Sequence, residues 1–270
     1  MLATFISDVF RKSEIEQIAF ALDDLCDPRR NFGWASAGLY CFWDIQSKEI
    51  YYIGLAVDLA QRFRQHTGLI PCDEKGCKIQ QITKHFDSNE LIGYTIFVQS
   101  YRSQPLVARI AQEQRMSVKD YETEYGSWTT QGEDEIRLIE GLLIEAHRKQ
   151  GKHPVWNKIG GSKEGAAIQY PSADILLNFL NGTNSGPLLA RSTLRELVTA
   201  DEDEMYEEII LHVMRLNMLR IGMDYNTAFA NVDDMTGLRA RILEVDYLNK
   251  VPDLTGTRQY ELAGNELRAL

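Results

Sequence analysis

Two short motifs and the segment that follows them carry the side chains best suited to chemistry in this chain. The motifs are Gly38-Leu39-Tyr40 and, after eleven residues, Tyr52-Ile53-Gly54, and Arg62 and His66 follow in the next element. Two tyrosines, an arginine and a histidine can supply a proton acceptor, a clamp for phosphate oxygens and a polar partner for a reacting water. This set of residue types indicates hydrolysis of a phosphodiester bond.

The two motifs are predicted to lie on an antiparallel hairpin. Residues 37–45 and 49–55 are apolar, aromatic and β-branched runs, separated by a short polar turn. Tyr40 and Tyr52 then come from adjacent strands and, if they pair across the sheet, hold their hydroxyls close together. Tyrosines in strands are also common as half-buried packing residues, which is the alternative for each of them alone.

A short helix is predicted to follow the hairpin. Asp58 occupies the position of an N-cap, and Gln61 three residues later completes the pattern of a capping box. The helix should cover residues 59–67. Arg62 and His66 are four residues apart and therefore share one face of this helix.

The two motifs resemble the signature of the GIY-YIG endonuclease family, which includes homing endonucleases, type II restriction enzymes and the N-terminal nuclease of a bacterial excision-repair enzyme. In that family a helix with a metal-binding glutamate follows, and then a Pro-x-x-Asn segment. Glu140 within the run 138–144, and Asn157 at the end of Pro154-Val155-Trp156-Asn157, match these features. The resemblance covers residues 35–165, and many family members have a lysine where this chain has Leu55.

The resemblance implies a set of site residues and a metal. Glu140 is the expected ligand of one Mg²⁺, for which Mn²⁺ can substitute. Tyr40 is expected to help deprotonate or orient the attacking water, and Arg62 to stabilise the charge that grows on the phosphate oxygens. The expected catalytic residues are Tyr40, Tyr52, Arg62, His66 and Asn157.

The residues around Glu140 in the sequence also indicate a cation ligand. A helix is expected over residues 134–149, and the neighbours of Glu140 at three and four residues' distance are largely apolar. A carboxylate there is costly unless it is paired or holds a cation, and one carboxylate with phosphate oxygens and waters is enough for Mg²⁺. Glu135 and Glu145 lack this apolar setting, and a structural salt bridge is the alternative for Glu140.

Basic residues surround the expected site in a chain that is acidic overall. The net charge of −10 argues against a protein that coats nucleic acid nonspecifically. Residues 147–163 nevertheless contain no Asp or Glu, whereas residues 201–208 are strongly acidic. A solvated helix end explains the basic run equally well. The expected contacts to nucleic acid are Arg64, Arg148, Lys149, Lys152, Lys158 and Lys163.

Composition predicts a soluble cytoplasmic protein with no association with membranes. No apolar run has the length of a membrane span, and the N-terminus lacks the basic start of a secretory signal. Four scattered cysteines do not form a disulfide framework. Cys72 and Cys77, with His66 or His85, also fit a zinc site, but the second half of the usual ligand spacing is absent.

The predicted fold class is α+β. The nuclease domain should hold a three-stranded antiparallel sheet flanked by helices, with residues 91–98 as its third strand and residues 106–125 helical. An amphipathic helix is expected over residues 13–25. The expected divisions of the chain are an N-terminal helical extension (1–34), a nuclease domain (35–165) with an insertion at about 68–132, and a mainly helical C-terminal region (166–270).

The C-terminal region loosely resembles a winged helix. A long helix from about Glu204, a helix over residues 236–251 and a wing over residues 257–262 would follow one another. That arrangement would place Arg239, Arg241 and Asn249 near DNA. The acidity of the region makes a partner-protein or homodimer contact the alternative.

The expected function is that of a metal-dependent endonuclease acting on DNA, most of all on the double-stranded form. Restriction or phage defence is the favoured setting, because the insertions indicate a dedicated recognition apparatus. Mobile-element cleavage and repair use the same chemistry. The competing class is a regulator that binds DNA or a partner protein on a degenerate nuclease fold.

Overall fold

The structure is a computed structural model in which the described residues are 2–27, 33–73, 76–100, 104, 129–199, 202–232, 237–258 and 260. This part of the chain contains a four-stranded sheet whose neighbouring strands are all antiparallel, in the order β1-β4-β2-β3. The strands are β1 (Leu2–Arg11), β2 (Gly38–Trp43), β3 (Ile50–Ala56) and β4 (Leu91–Gln99). The α+β class is confirmed.

The prediction of three strands was wrong, because β1 is a fourth strand at the start of the chain. Residues 1–34 were expected to be a helical extension, yet Leu2–Arg11 pairs with β4 along its length. Nearly every residue of β1 is buried, so it lacks the alternation of polar and apolar residues that marks a half-exposed strand. Asp8 in its centre further hides the pattern.

Ten α-helices surround the sheet in the described part of the chain. The helices expected over residues 13–25, 59–67 and 134–149 are present as α1, α2 and α4. None of the described helices is long and apolar enough to cross a membrane. The ten are α1 (Ile15–Cys26), α2 (Leu59–Thr67), α3 (Ile79–Phe86), α4 (Thr129–Lys149), α5 (Lys163–Ala166), α6 (Ala173–Leu180), α7 (Leu194–Thr199), α8 (Glu202–Ile221), α9 (Tyr225–Ala230) and α10 (Leu238–Glu244).

The sheet is covered on both faces, and alternate residues of each strand enter different cores. Tyr40 and Phe42 of β2 face the core formed with α1 and α2. Leu39, Cys41 and Trp43 face the opposite core, formed with α4 and α6. This alternation follows from the two-residue period of a strand, and it brings both motif tyrosines to the α2 side.

Both outer edges of the sheet are closed by short segments of the chain. On the free edge of β1, the Phe5 N–H donates to Leu188 O at 2.9 Å, and the Ala190 N–H donates to Phe5 O at 2.7 Å. On the free edge of β3, the Trp156 N–H donates to Tyr51 O at 2.8 Å. Unpaired edge groups are costly when buried, so these segments complete the sheet.

A buried ion pair joins β1 to α7. The Arg195 guanidinium donates to both carboxylate oxygens of Asp8, at 2.9 Å from Nη2 and 3.2 Å from Nε, and both side chains are almost completely buried. A second buried pair joins Arg215 and Glu208 of α8 at 2.8 Å. Segments on either side of residue 165 are therefore in direct contact, while the expected domain boundaries stay predictions.

The expected winged helix has no wing within the described residues. Residues 237–258 hold α10 and a 3₁₀ turn at Tyr247–Asn249, and no strand. Arg239 donates to the carbonyl of Ala230, and Arg241 pairs with Glu207. Both arginines thus serve internal contacts. The helix expected over residues 106–125 lies outside the described residues.

We expect Arg195→Ala to lower the free energy of unfolding by about 3–5 kcal/mol, because it leaves the Asp8 carboxylate buried without its partner. Urea unfolding at neutral pH measures the loss. Arg137→Ala is the matched control, since exposed Arg137 pairs with exposed Asp134 at 3.5 Å, and should cost at most about 1 kcal/mol. An equal effect of the two substitutions would contradict the role of the buried pair.

Candidate active site

The two motif tyrosines meet on one face of the hairpin as diagonal neighbours. Tyr40 lies opposite Gly54, and Tyr52 lies opposite Phe42, so the tyrosines do not pair directly. Their ring centroids are 5.7 Å apart. A Cβ at Gly54 would lie 2.7 Å from Tyr40 Oη and 2.7 Å from Tyr52 Cε1. The missing side chain of Gly54 is therefore what allows the two rings to approach each other.

Helix α2 places a histidine against the first tyrosine. The Asp58 carboxylate accepts from the Gln61 N–H at 2.8 Å and caps the helix as expected. His66 is completely buried, and its Nε2 lies 2.6 Å from Tyr40 Oη. Its Nδ1 accepts a hydrogen bond from the backbone N–H of Lys78 at 3.1 Å. Both ring nitrogens are thus engaged.

These two contacts fix the tautomer of His66. Burial, together with the charges of Arg62 and Lys78, lowers the pKa of His66 to about 3, so the ring is neutral. A neutral ring that accepts at Nδ1 carries its proton on Nε2. His66 therefore donates to the hydroxyl oxygen of Tyr40, and the Tyr40 proton must point elsewhere.

The Tyr40 ring lies beside the Tyr52 ring, with the two centroids 5.7 Å apart. Burial raises the pKa of Tyr40 well above its usual value, and the nearby Tyr52 raises it further, whereas the charge of Arg62 opposes the rise. Tyr40 is only 2% exposed, while Tyr52 is half-buried. A directional chain of hydrogen bonds therefore runs from Lys78 through His66 to Tyr40, and the less buried Tyr52 lies beside the end of this chain.

Arg62 lies beside this chain with its charge uncompensated. Its Nη1 donates to Gln65 Oε1 at 3.1 Å, and within the described residues it forms no ion pair with a carboxylate. Its positive charge opposes the rise in the pKa of both Tyr40 and Tyr52. A half-buried guanidinium in this position can bind an oxyanion.

Glu140 on α4 adds a carboxylate to the cluster, near enough to Tyr52 to influence its pKa. Burial raises the pKa of Glu140 to about 7, and its negative charge contributes to the raised pKa of Tyr52. It forms no ion pair with any described residue, although Arg137 lowers its pKa slightly. Of its rivals on α4, Glu145 pairs with Arg148 at 2.8 Å and Glu135 lies 3.4 Å from Gln99 Nε2.

Asn157 acts on the backbone of β3 rather than on the tyrosines. Its Oδ1 accepts from the Ile53 N–H at 3.0 Å, and its Nδ2 donates to Ile53 O at 2.8 Å. The Asn157 carboxamide thus makes the two backbone hydrogen bonds that a neighbouring strand would make at Ile53, the residue between Tyr52 and Gly54. Asn157 positions the second motif and does not itself contact the hydroxyl groups.

The expected contacts to nucleic acid divide into two groups. Arg64 forms a bidentate ion pair with Asp23 of α1, on the face of α2 away from His66, and Arg148 pairs with Glu145. The charges of Arg64 and Arg148 are therefore already neutralised by ion pairs within the protein. The other four are exposed: Lys149, Lys152, Lys158 and Lys163.

Lys78, which precedes α3, was not predicted from the sequence. Besides its backbone bond to His66, its Nζ lies 4.6 Å from the centroid of the Tyr52 ring. No motif marks this residue, because the loop after α2 brings it to the site.

The metal-binding potential of the site is limited to a single carboxylate. No group of three His, Cys, Asp or Glu side chains suited to a metal occurs within the described ranges. Cys77 Sγ donates to Gln65 O, and the engaged nitrogens of His66 leave that ring unavailable to zinc. Glu140 alone suits a hard ion such as Mg²⁺, which retains waters and takes the remaining ligands from substrate phosphate.

Comparison of this chain with models of protein families, with curated proteins and with solved structures gives no match. The functional assignment therefore depends on the motif residues and on the geometry that they adopt.

We expect Gly54→Ala to destabilise the protein by about 1–3 kcal/mol, because the new methyl group must displace the Tyr40 or Tyr52 ring. Thermal unfolding measures the loss, and near-ultraviolet circular dichroism reports the movement of the rings. Gly160→Ala is the control, since a Cβ there meets no atom within 4 Å. If both variants keep the wild-type spectrum and stability, the packing of the tyrosines against Gly54 is contradicted.

Proposed function

We propose that this protein is a metal-dependent endonuclease of the GIY-YIG type that hydrolyses phosphodiester bonds in DNA. The observation that supports it most is the convergence of Tyr40, Tyr52, His66, Arg62 and Glu140 from two strands and two helices. If this cluster served only to stabilise the fold, its arginine would be expected to form an ion pair with its carboxylate. Here both charges are left without an ion-pair partner among the described residues, as a phosphate and a cation require.

The tyrosine pair orients the attacking water. Its partly exposed member is Tyr52, so water approaches from that side, and the Tyr40 ring packs beside the Tyr52 ring. In the free protein both tyrosines keep their protons, because burial raises their pKa values. The His66 N–H and the Arg62 charge favour an ionised tyrosine, so they make proton acceptance possible once further positive charge arrives.

Glu140 is the residue that would hold Mg²⁺. Its carboxylate is half-buried, unpaired and close enough to Tyr52 to influence its pKa. A bound Mg²⁺ supplies Lewis acidity towards a phosphate oxygen and a nearby water. With its pKa near 7, Glu140 must release a proton before it can bind a cation, which couples occupancy of the site to pH.

Arg62 stabilises the charge that develops on the phosphate during cleavage. Its guanidinium donates to Gln65 Oε1, and its charge acts on both tyrosines, so it lies close enough to bind a phosphate oxygen beside them. Asn157 contributes indirectly by fixing the backbone of Ile53, and hence the position of Tyr52. Exposed Lys152 and Lys158 extend the positive surface along the loop that carries Asn157.

Double-stranded DNA is the favoured substrate, and restriction or phage defence the favoured setting. A net charge of −10 with basic residues concentrated near the site supports docking in one orientation rather than general binding. A regulator that binds DNA without cutting it would not need an unpaired Glu140 beside the tyrosines.

We expect the wild-type protein to nick or linearise plasmid DNA in Mg²⁺ and not in EDTA, and Glu140→Gln to abolish this cleavage. Agarose gels of timed reactions measure it. Glu145→Gln is the matched control, because Glu145 lies on the same helix but pairs with Arg148, and should leave cleavage unchanged. Cleavage by Glu140→Gln at the wild-type rate would contradict the metal assignment, and a wild type that never cuts would favour the regulator.

We also expect Glu140 to weaken the fold as pH rises. Its pKa is about 7 when folded and about 4.5 when unfolded, so the folded state retains the proton between these values. The contribution of Glu140 to stability is therefore lost as pH rises through this window. The measurement is the melting temperature of Glu140→Gln minus that of the wild type, in EDTA. We expect this difference to be more positive at pH 8 than at pH 4. The same difference at both pH values would contradict the raised pKa.

A further inference from the structure

Lys78 is a buried cation without a compensating charge. Its side chain is 4% exposed, and it forms no ion pair with any carboxylate in the part of the chain that the structure describes. Burying an ammonium group without a partner is costly. The aromatic ring of Tyr52 offsets part of this cost, since Nζ lies 4.6 Å from its centroid.

Two further cations lie within electrostatic reach of Lys78. Burial lowers the pKa of Lys78, and the positive charges of Lys158 and Arg62 lower it further. These three residues come from the loop before α3, the loop after α4 and helix α2. Three like charges repel one another at short range, so an anion among them would stabilise the whole group.

We propose that Lys78, with Arg62 and Lys158, forms a phosphate-binding site for the nucleic-acid backbone beside the tyrosine pair. The proposal deepens the nuclease function and rests on it. Lys78 brings its positive charge to the site from the segment directly before α3, whose N-terminal end also favours an anion.

Lys78 also contacts both His66 and Tyr52, so the phosphate site and the tyrosine pair are in direct contact. Its backbone N–H holds His66, and its side chain covers Tyr52. A phosphate bound by Nζ would therefore lie next to Tyr52, the less buried of the two tyrosines. Substitution of the side chain leaves the backbone bond to His66 in place, so the two contributions can be separated.

The test measures how duplex binding depends on salt, in EDTA, so that no cleavage occurs. Each phosphate contact contributes about 0.9 to the slope of log K against log salt concentration. Fluorescence anisotropy of a labelled duplex between roughly 50 and 200 mM chloride gives this slope. Lys78→Met should make the slope shallower by about 1, whereas Lys78→Arg should preserve the slope. Lys84→Met is the control at an exposed position of α3 and should leave the slope unchanged.

A folded Lys78→Met variant with the wild-type slope would overturn the proposal and leave Lys78 as a support for the Tyr52 ring. A wild type that binds no duplex at the lowest salt would also overturn it. If Lys78→Met does not fold, the wild type decides: millimolar inorganic phosphate should raise its melting temperature above chloride at equal ionic strength, and no difference would overturn the site.

The same measurements separate this proposal from the nuclease function. A shallower slope for Lys78→Met together with a wild type that never cuts in Mg²⁺ supports the phosphate site and contradicts the nuclease. Cleavage by the wild type together with an unchanged slope supports the nuclease and overturns the role of Lys78.

Discussion

The hydrogen bond between Tyr40 and His66, 2.6 Å long and buried, is the interaction on which the rest of the site depends. It joins the hairpin to α2. Its direction is set by a single backbone group, because the Lys78 N–H occupies Nδ1 of His66 and leaves the proton on Nε2, which donates to Tyr40. The charges of Arg62 and Glu140 both act on the neighbouring Tyr52.

The architecture of the sheet serves this arrangement. Gly54 provides the gap in which the two tyrosine rings meet, and Asn157 closes the edge of β3 at the adjacent residue. At the opposite edge, residues 188–190 close β1, and the buried pair of Asp8 and Arg195 holds α7 against it. The sheet is thus completed by segments distant in sequence, and the site lies at the edge closed by Asn157.

Local sequence patterns predicted the elements that carry the site, and non-local contacts account for what was missed. The hairpin, α2 with its Asp58 cap and α4 all follow from turn, capping and periodicity signals within their own segments. Strand β1 was missed because burial on both faces removes its alternation, and Lys78 because a loop brings it to Tyr52. Arg64 was expected to bind nucleic acid, but Asp23, forty-one residues earlier, already pairs with it.

The most direct test of this account is the single-turnover cleavage rate of Tyr40→Phe on duplex DNA in Mg²⁺. Phenylalanine keeps the ring against Gly54 and removes the oxygen that accepts the hydrogen bond from His66. We expect the rate to fall by about 10²–10⁴-fold in a variant that remains folded. Tyr51→Phe, which removes a hydroxyl bonded to Asp44 at 2.9 Å, should cut at the wild-type rate. Cleavage by Tyr40→Phe within about tenfold of wild type would contradict the central role of this hydrogen bond.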